Sequence, residues 1–457
     1  MAYVSFDPYR QELISEYHSD SDKSLREKIN EVHSQFSLWR NTSIKERCEL
    51  LERLADILIL DKNDHAHIIV REMGKPVSQA VSEVEKCALL CRFYALNSAM
   101  YLEGEERRSG AGYSSVFAEP QGIILGIMPW NFPYWQVFRF FVPALAAGNC
   151  AILKHSSNVT GCALMIEKAV KKAGFPDSAF RVILPDHSQI EKIISMPEIR
   201  GVALTGSNEA GSAIASYAGK YIKKTVLELG GSDPLIVFPD ANIALAAAGA
   251  FMGRFLNCGQ SCIAAKRILV HDTVFDEFLE AFLDRIEEAR LGDPVDNSTF
   301  FGPMVSSRAA GEIDDQVKKS VKLGARKILA GGLCDYGPAF YKPSVFGDIP
   351  PDSPLNSEET FGPVAALFRF RNSQEASEIA NSSRFGLGAS VWTSDDEFGR
   401  MFARTLDSGN VAINGYVRSD PALPFGGVKD SGYGRELSSE GLREFVNIKT
   451  IAGYYNS

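Results

Sequence analysis

The feature that most constrains the fold is an alternation of short apolar runs and amphipathic segments between residues 122 and 231. The apolar runs Gly122–Met128, Ala151–Lys154 and Gly201–Thr205 have the length and composition of strands. Between them, segments such as Thr160–Ala173 carry apolar residues three and four apart, which predicts helices. Strands that alternate with helices form parallel, doubly wound sheets, so the sequence predicts an α/β fold.

A helical region precedes this alternation, and a second α/β series follows it. The first hundred residues are predicted to be helical, with helical spacing at Leu25–Trp39, Ile44–Leu60 and Val81–Leu102. The second series starts at Pro234–Phe238 and continues to about Ile413. Because no repeat, low-complexity segment or long linker separates the two series, we predict two closely packed α/β domains.

Charge and composition disfavour several classes of function. The 48 basic and 57 acidic residues give a net charge of −9 without a basic cluster, which argues against nucleic-acid binding. The N-terminus lacks a signal sequence, and the apolar runs are too short to span a bilayer, so we expect a cytoplasmic protein with no membrane partner. The eight cysteines lack zinc-type spacing and the seven histidines form no ligand pattern, so no metal site is predicted.

A candidate nucleophile and a candidate base lie close together in the middle of the chain. Cys262 ends the run Asn257–Cys262, and Glu228 precedes Leu229-Gly230-Gly231. A thiol that attacks a substrate and a carboxylate that activates water would suffice for covalent catalysis followed by hydrolysis. Cys262 alone is better explained as a buried, inert side chain, since free cysteine is among the most buried residue types.

Three further motifs carry polar groups at positions where a ligand could reach them. Asn131 stands between two prolines after a strand, where its amide could donate to an oxyanion or satisfy a local turn. Gly206 and Ser207 lie between a predicted strand and helix, which suits a phosphate or an ordinary turn. Glu359 and Phe361 could contact a ribose and a heterocycle, or form a charged helix end beside a core ring.

Together, and in this order, the motifs resemble those of the aldehyde dehydrogenase superfamily, whose members oxidise aldehydes to carboxylic acids with NAD or NADP. The resemblance runs from Gly122 to Glu436. It implies a Rossmann-like cofactor domain, an α/β catalytic domain and a small β oligomerisation element. The implied bounds are 1–101 with 121–230 for the cofactor domain, 231–437 for the catalytic domain, and 102–120 with 438–457 for the oligomerisation element.

The resemblance also implies a role for each matching residue. Cys262 would be the nucleophile, Asn131 and the Cys262 N–H the oxyanion hole, and Glu228 the base that directs the thioester to water rather than to coenzyme A. Glu436 matches a second carboxylate linked to proton movement. The residues implied to bind NAD or NADP are Met128, Trp130, Lys154, Ser157, Gly206, Ser207, Glu359 and Phe361.

Within the superfamily, the chain is most similar to short bacterial succinate-semialdehyde dehydrogenases. Arg139 and Ser419 match the residues that bind the far carboxylate of the substrate, and an arginine within an apolar run is costly to bury without an anion. Leu256 stands where the better-studied enzymes carry a second arginine, while Arg254 lies two residues earlier. Glutarate-type and aliphatic aldehydes therefore remain alternative small-molecule substrates.

The resemblance extends to cofactor choice and assembly. Ser157 replaces the glutamate that repels a 2′-phosphate in strict NAD enzymes, so we expect NADP to be accepted alongside NAD. Segments 102–120 and Val446–Ile451 match elements that pair between subunits, which implies a homodimer or a homotetramer.

Three alternatives remain open at this stage. The chain could be a catalytically silent family member, although the matching set of polar residues disfavours this. It could be a thiol hydrolase that needs no nicotinamide. Cys258, four residues before Cys262, could form a reversible disulfide with it or be a small buried side chain, which is the more common case.

Overall fold

The computed structural model describes residues 2–454 as interleaved helices and strands. The helices are α1 (Asp22–Trp39), α2 (Ile44–Leu60), α3 (Lys62–Met73), α4 (Val77–Tyr101), α5 (Trp135–Ala146), α6 (Thr160–Lys172), α7 (Ile190–Ser195), α8 (Asn208–Lys220), α9 (Ile243–Phe255), α10 (Phe275–Glu288), α11 (Ser307–Leu323), α12 (Pro354–Ser357), α13 (Ser373–Asn381), α14 (Asp396–Ala403) and α15 (Ser438–Arg443).

The strands alternate with these helices through most of the chain. They are β1 (Ala2–Asp7), β2 (Glu12–His18), β3 (Glu105–Glu106), β4 (Tyr113–Pro120), β5 (Ile123–Met128), β6 (Cys150–His155), β7 (Phe180–Val182), β8 (Ile199–Thr205), β9 (Lys224–Glu228), β10 (Pro234–Val237), β11 (Arg267–His271), β12 (Arg326–Leu329), β13 (Gly332–Leu333), β14 (Tyr341–Lys342), β15 (Ser344–Gly347), β16 (Val364–Phe370), β17 (Phe385–Gly386), β18 (Gly388–Trp392), β19 (Asn410–Ile413), β20 (Val428–Lys429), β21 (Gly432–Tyr433) and β22 (Val446–Gly453).

The first sheet confirms the predicted doubly wound topology. Its order is β21-β9-β8-β5-β6-β7, and the pairs from β9 to β7 are all parallel. Strand β5 comes first in the chain, so the order reverses between β5 and β8, where open α/β sheets bind their ligands beyond the carboxyl ends of the strands. Met128 ends β5 and Gly206 follows β8, which brings both predicted cofactor residues to this edge.

The second sheet has seven strands in the order β12-β15-β16-β11-β10-β18-β19. Its pairs are parallel except for the antiparallel edge strand β12. Strand β21 lies within residues 231–437, which the sequence assigned to the catalytic domain. It pairs with β9, so a short segment from the C-terminal half of the chain forms an edge of the first sheet. The domain bounds stay predictions, while the two-sheet α/β architecture is confirmed.

A third sheet stands apart from these two layers. Strands β22, β4 and β3 form an antiparallel sheet, in which β22 pairs with β4 from Val446 to Gly453. The segments that sequence analysis assigned to an oligomerisation element therefore pair with each other. Ile448 and Ile451 are exposed on β22.

The expectation that the first hundred residues are helical is wrong for the beginning of the chain. Strands β1 and β2 form an antiparallel hairpin before α1. The reason is visible in burial: Tyr3, Ser5 and Asp7 are buried while Val4 and Phe6 are exposed, which is the two-residue period of a strand. The helices that follow begin at serine caps, where Ser21 and Ser43 accept backbone N–H groups of the first turn.

One hydrophobic core joins the N-terminal helices to the first sheet, and smaller clusters fill the second α/β unit. Trp39 is typical of the first core: it is buried, packs against Phe175 and donates its indole N–H to the Leu145 carbonyl. Among residues 2–454, no helix is both long and apolar enough to cross a bilayer.

Arg254, which is fully buried near the end of α9, ties the second unit together. Its guanidinium donates to the carbonyls of Thr360 (3.0 Å), Val364 (2.6 Å), Gly259 (3.4 Å) and Gly362. Burial lowers the pKa of Arg254 to about 9, so the group remains charged at neutral pH. It therefore joins the segment before Cys262 to the segment that carries Glu359 and Phe361.

Replacing Arg254 with methionine should lower the stability of the fold strongly. The substitution leaves several buried carbonyl groups without donors, and each unpaired acceptor costs about 1–3 kcal/mol. We expect a clear fall in the melting temperature by calorimetry, without rescue by Arg254→Lys, because lysine lacks the planar fork of donors. Arg285→Met, on an exposed face of α10, is the control and should melt with the wild type. Equal melting of Arg254→Met and the wild type would contradict this role.

Candidate active site

Cys262 lies just beyond a tightly coiled backbone segment. Asn257 and Cys258 adopt left-handed conformations (φ 56° and 54°), and Gly259 follows with φ 69°. Such conformations are costly for residues with a Cβ, and they persist where surrounding contacts enforce them. A Cβ at Gly259 would approach the Gly362 carbonyl oxygen to 2.4 Å, so only glycine fits there.

The backbone at Cys262 is held by Lys266, which is almost fully buried. The ammonium donates to the carbonyls of Ser261 and Cys262, both at 2.7 Å, and to Glu359 Oε1 at 3.1 Å. Lys266 thus links the predicted nucleophile to the predicted ribose-binding carboxylate. Burial raises the pKa of the Cys262 thiol to about 12, while the charges of Arg139 and Lys266 oppose this rise.

Asn131 is brought to the same place by the loop between β5 and α5. Its amide is buried, and Nδ2 donates to the carbonyl of Gln260 (3.1 Å), two residues before Cys262. Its Oδ1 accepts from Gln136 Nε2 (3.0 Å), which fixes the orientation of the amide. The second N–H of Nδ2 has no acceptor among the described residues, and its role as a donor to a substrate oxyanion stays a prediction.

The loop that carries Asn131 is anchored from both sides. Glu83 on α4 accepts the backbone N–H groups of Tyr134 (2.9 Å) and Trp135 (3.0 Å) at the start of α5 and forms a buried ion pair with Lys75. A carboxylate at a helix N-terminus is favourable, because it pairs with free N–H groups. His155 contacts the Pro133 carbonyl (2.9 Å) from the other side.

Glu228 is the last residue of β9 and is 1% exposed. Neither carboxyl oxygen has a hydrogen-bond partner within residues 2–454, and Oε1 lies against Gly426, where a Cβ would come within 2.8 Å. Burial raises the pKa of Glu228 well above its usual range, and the charge of Glu436 raises it further. Both effects favour the neutral form of the carboxyl group.

Arg139 lies on α5, buried, and it has an anionic partner within the protein. Its Nε is 2.7 Å from Glu436 Oε2, and its guanidinium lies over the Phe425 ring at 4.7 Å. Glu436 therefore supplies an anion for the buried Arg139 guanidinium without any substrate. Arg139 also lines the cavity, so its guanidinium is placed to contact both Glu436 and a bound substrate.

A cavity of about 550 Å³ is lined by Cys262 and by Trp135 and Arg139 of α5. Its wall is largely apolar, with Phe132, Trp135 and Phe425 among the rings. Leu256 also lines it, so the position of the second arginine in the better-studied semialdehyde enzymes is apolar here. Arg254 does not compensate, because all its hydrogen bonds go to the carbonyls described above.

Ser419 lies at the end of this cavity and is buried. Its Oγ accepts hydrogen bonds from Trp135 Nε1 and from Lys86 Nζ, each at 2.9 Å. Sequence analysis predicted Ser419 but missed Lys86 and Trp135. The helical spacing of α4 gives no signal that Lys86 points into a cavity, because the partner loop is more than 300 residues away.

Glu359 and Phe361 flank Cys262 from the second α/β unit. Glu359 Oε1 accepts from the Gly231 N–H at 3.1 Å, and a Cβ at Gly230 would come within 2.6 Å of its Oε2. The two glycines after Glu228 thus make room for this carboxylate. Phe361 packs edge-to-face on Trp130, with ring centroids 5.7 Å apart. The structure brings these predicted cofactor residues together.

The remaining predicted cofactor residues lie at the carboxyl edge of the first sheet. Lys154 on β6 is half-buried, with no hydrogen-bond or ion-pair partner within residues 2–454, and burial alone lowers its pKa. Ser157 is exposed, and Ser207 caps the exposed N-terminus of α8. An ammonium without a protein partner and an exposed helix N-terminus at the same edge of the sheet fit the phosphate and ribose groups of a dinucleotide.

The contacts of Cys258 do not indicate a disulfide with Cys262. It is buried, and its Sγ donates to the carbonyl of Gly302 at 3.1 Å. All the cysteines within the described part of the chain are free thiols. The structure therefore favours the packing role over the redox pair with Cys262.

Comparison with known proteins places the chain among aldehyde oxidoreductases. The sequence model described as "Aldehyde dehydrogenase family" matches residues 2–451. The chain is 42% identical over 454 residues to "Succinate-semialdehyde dehydrogenase [NADP(+)] 1" of Mycobacterium tuberculosis, with 99% of each protein covered. A "Probable succinate-semialdehyde dehydrogenase [NADP(+)]" of Synechocystis is 41% identical, again with 99% of each covered.

The fold agrees with these relatives. The crystal structure of succinic semialdehyde dehydrogenase from Streptococcus pyogenes in complex with NADP+ matches with a TM-score of 0.97 and 34% identity. The match covers 99% of this chain and 100% of that one. A family model over nearly the whole length, relatives above 40% identity and an equivalent fold agree: the chain belongs to the aldehyde dehydrogenase family.

Proposed function

We propose that this enzyme oxidises succinate semialdehyde to succinate, with NADP+ or NAD+ as the oxidant. The observation that carries the substrate assignment is the cationic end of the cavity. Arg139, Lys86 and the Ser419 hydroxyl line the same cavity as the thiol of Cys262, and Lys86 donates to Ser419. A short aldehyde that carries a carboxylate at its other end matches both ends of this cavity. Relatives named for the same substrate support the proposal.

The first chemical stage is addition of the Cys262 thiolate to the aldehyde carbon. The carbonyl oxygen becomes an oxyanion, which Asn131 Nδ2 and the Cys262 N–H stabilise as donors. Asn131 is already oriented by Gln136 and Gln260, so little reorganisation accompanies the reaction. A bound nicotinamide would supply the acceptor for the hydride that leaves the thiohemiacetal carbon, and Cys262 would then carry a thioester.

The second stage is hydrolysis of that thioester. Glu228, after loss of its proton, takes a proton from water, and the hydroxide attacks the thioester carbon. The tetrahedral oxyanion again meets Asn131, and its collapse releases succinate and the Cys262 thiolate. Burial raises the pKa of Glu228, so its carboxylate is a stronger base for water than an exposed glutamate is.

For the cofactor, we assign the adenosine ribose to Lys154 and Ser157 and the pyrophosphate to Gly206 and Ser207. Met128 and Trp130 would line the cleft, and Glu359 would accept the nicotinamide ribose hydroxyls. Ser157 is exposed and uncharged, so a 2′-phosphate meets no repulsion there. Lys154 offers a positive charge without a protein counter-ion, which favours NADP+.

We also propose a homodimer or homotetramer assembled through the third sheet. Strand β22 pairs with β4 on one side only, so its other edge is free within the described chain. Ile448 and Ile451 are exposed on it. An edge of this kind requires covering, and a second copy of the chain supplies a strand of matching length.

Steady-state kinetics with two four-carbon aldehydes test the substrate assignment. We expect kcat/KM for succinate semialdehyde to exceed that for butanal by about tenfold or more, because a charged hydrogen bond contributes about 1.5–3 kcal/mol. Both NADP+ and NAD+ should support the reaction. Equal rates with the two aldehydes would refute the substrate, and a preference for NAD+ of about a thousandfold would refute the cofactor assignment.

The variant Glu228→Gln tests the base. The substitution leaves thioester formation possible but removes the proton acceptor for water, so turnover should fall by about 10²–10⁴. Rapid mixing should still show a burst of about one equivalent of reduced cofactor per active site. The exposed variant Glu191→Gln is the control and should turn over normally. A burst that disappears together with turnover would show that Glu228 acts before the thioester forms.

The variant Glu436→Gln tests the electrostatic coupling between the buried carboxyl groups. The negative charge of Glu436 raises the pKa of Glu228, whereas Arg139 lowers it. Removing the negative charge and keeping the positive one should lower the pKa of Glu228, so its basic form persists to lower pH. The rising limb of the pH profile for thioester hydrolysis should move to more acidic pH. A shift toward alkaline pH would contradict the assigned coupling.

A further inference from the structure

Lys86, on α4, is a cation at the cavity wall to which neither the motifs nor the comparisons assign a role. We propose that Lys86 binds the distal carboxylate of the substrate directly, as a second cation beside Arg139 and together with the Ser419 hydroxyl. The inference rests on the proposed function and deepens it. The substrate class it names is a short aldehyde with a carboxylate at the opposite end.

Lys86 has no counter-ion of its own within residues 2–454. Its ammonium donates to Ser419 Oγ at 2.9 Å and lies 4.2 Å from the centre of the Trp135 ring. These two contacts leave at least one N–H of the ammonium for another acceptor. A half-buried ammonium without an anion is costly, and a bound carboxylate would remove that cost.

The hydrogen bonds of Ser419 indicate the direction of the acceptor. A hydroxyl group has two acceptor lone pairs and one donor. Lys86 Nζ and Trp135 Nε1 both donate to Ser419 Oγ, so they occupy both lone pairs. The single O–H of Ser419 must then donate in the remaining direction. One carboxylate can accept from this O–H and from Lys86 at the same time.

The acidic residues near Lys86 are engaged elsewhere. Glu83, one turn earlier on α4, forms the buried ion pair with Lys75 and accepts two backbone N–H groups of α5. Glu436 pairs with Arg139. Asp420 is exposed and accepts from the Ala422 N–H. Lys86 is therefore without an acidic partner at this cavity; the exposed Arg418, which also lines it, lies over the Tyr416 ring.

The titration of Lys86 gives the subsite a distinctive pH dependence. Burial lowers the pKa of Lys86 to about 8, and the charge of Arg139 on α5 lowers it as well. The groups that raise it are Cys87 and Glu83 on α4 and Asp420 in the loop before Phe425. Lys86 is charged below about pH 8 and neutral above it, so affinity for a carboxylate should fall as pH rises through that value.

The test compares Lys86→Met with the wild type in the ratio of kcat/KM for succinate semialdehyde to kcat/KM for butanal. This ratio cancels changes in Cys262 and Glu228, which act on both aldehydes. We expect the ratio to fall about tenfold or more in Lys86→Met and to be largely retained in Lys86→Arg. In the wild type it should decline above about pH 8, and the decline should be absent in Lys86→Met.

Arg92→Met is the matched control, because it removes a positive charge from the exposed face of the same helix. It should leave the ratio unchanged. To distinguish direct binding from a role in which Lys86 only orients Ser419, Lys86→Met is repeated in a Ser419→Ala background. A loss that persists there supports direct binding, whereas a loss that vanishes, or an unchanged ratio in Lys86→Met, overturns the proposal.

Binding of succinate, measured by calorimetry on enzyme without cofactor, keeps this test separate from the proposed function. If the wild type does not oxidise succinate semialdehyde, the proposed function fails, yet weaker succinate binding by Lys86→Met would still support an anion subsite. If the wild type oxidises it and Lys86→Met binds succinate as tightly as the wild type does, only the inference about Lys86 fails.

Discussion

The arrangement of the site depends on two buried cations that are satisfied mainly by backbone carbonyls. Arg254 joins the coiled segment before Cys262 to the Thr360–Val364 strand entry, and Lys266 joins the Cys262 carbonyl to Glu359. Residues 260–263 and 358–363 lie outside the helices and strands, so no backbone ladder holds them. Buried charges can hold such segments because each donates several hydrogen bonds at once. The position of Cys262 relative to Glu359 is thus set by side chains from α9 and from the residue before β11.

A second chain of buried charges connects the two stages of the reaction. Arg139 pairs with Glu436, and the charge of Glu436 acts in turn on Glu228. Arg139 also acts on the Cys262 thiol, whose pKa it lowers against the effect of burial. A substrate whose carboxylate binds Arg139 would therefore change the electrostatic potential at both Cys262 and Glu228. Recognition and chemistry share one electrostatic network in this enzyme.

The sequence predicted the sheets and several polar positions of the site because these depend on local patterns. Strand-helix alternation identified the first sheet, and the motifs around Asn131 and Glu228 identified two groups that meet near Cys262. The hairpin before α1 was missed, since its two strands are only six and seven residues long. Lys86 was missed because its role depends on a loop far away in the chain. Arg139 was predicted, but its partner Glu436 became visible only in three dimensions.

Charged residues within apolar runs occur at several buried positions of this chain. A charged residue in an apolar run singled out Arg139, and the same pattern holds for Lys266 and Arg267 in Ile263–Val270. Both are buried, and their donors go mainly to carbonyl groups, in Arg267 those of Ser232, Ile379 and Ala380. A charged residue within an apolar run therefore indicates either a ligand-binding site or a buried group that joins backbone segments through hydrogen bonds. Only the contacts distinguish the two.

The central claim is that one cavity holds an aldehyde at Cys262 and its carboxylate at the opposite, cationic end. A crystal structure of Glu228→Gln reacted with succinate semialdehyde and NADP+ tests this most directly. The account predicts a succinyl thioester on the Cys262 sulfur, with its carboxylate in hydrogen-bond contact with Ser419 and Lys86 and facing Arg139. A carboxylate directed to solvent, or an acyl group on any other residue, would contradict it.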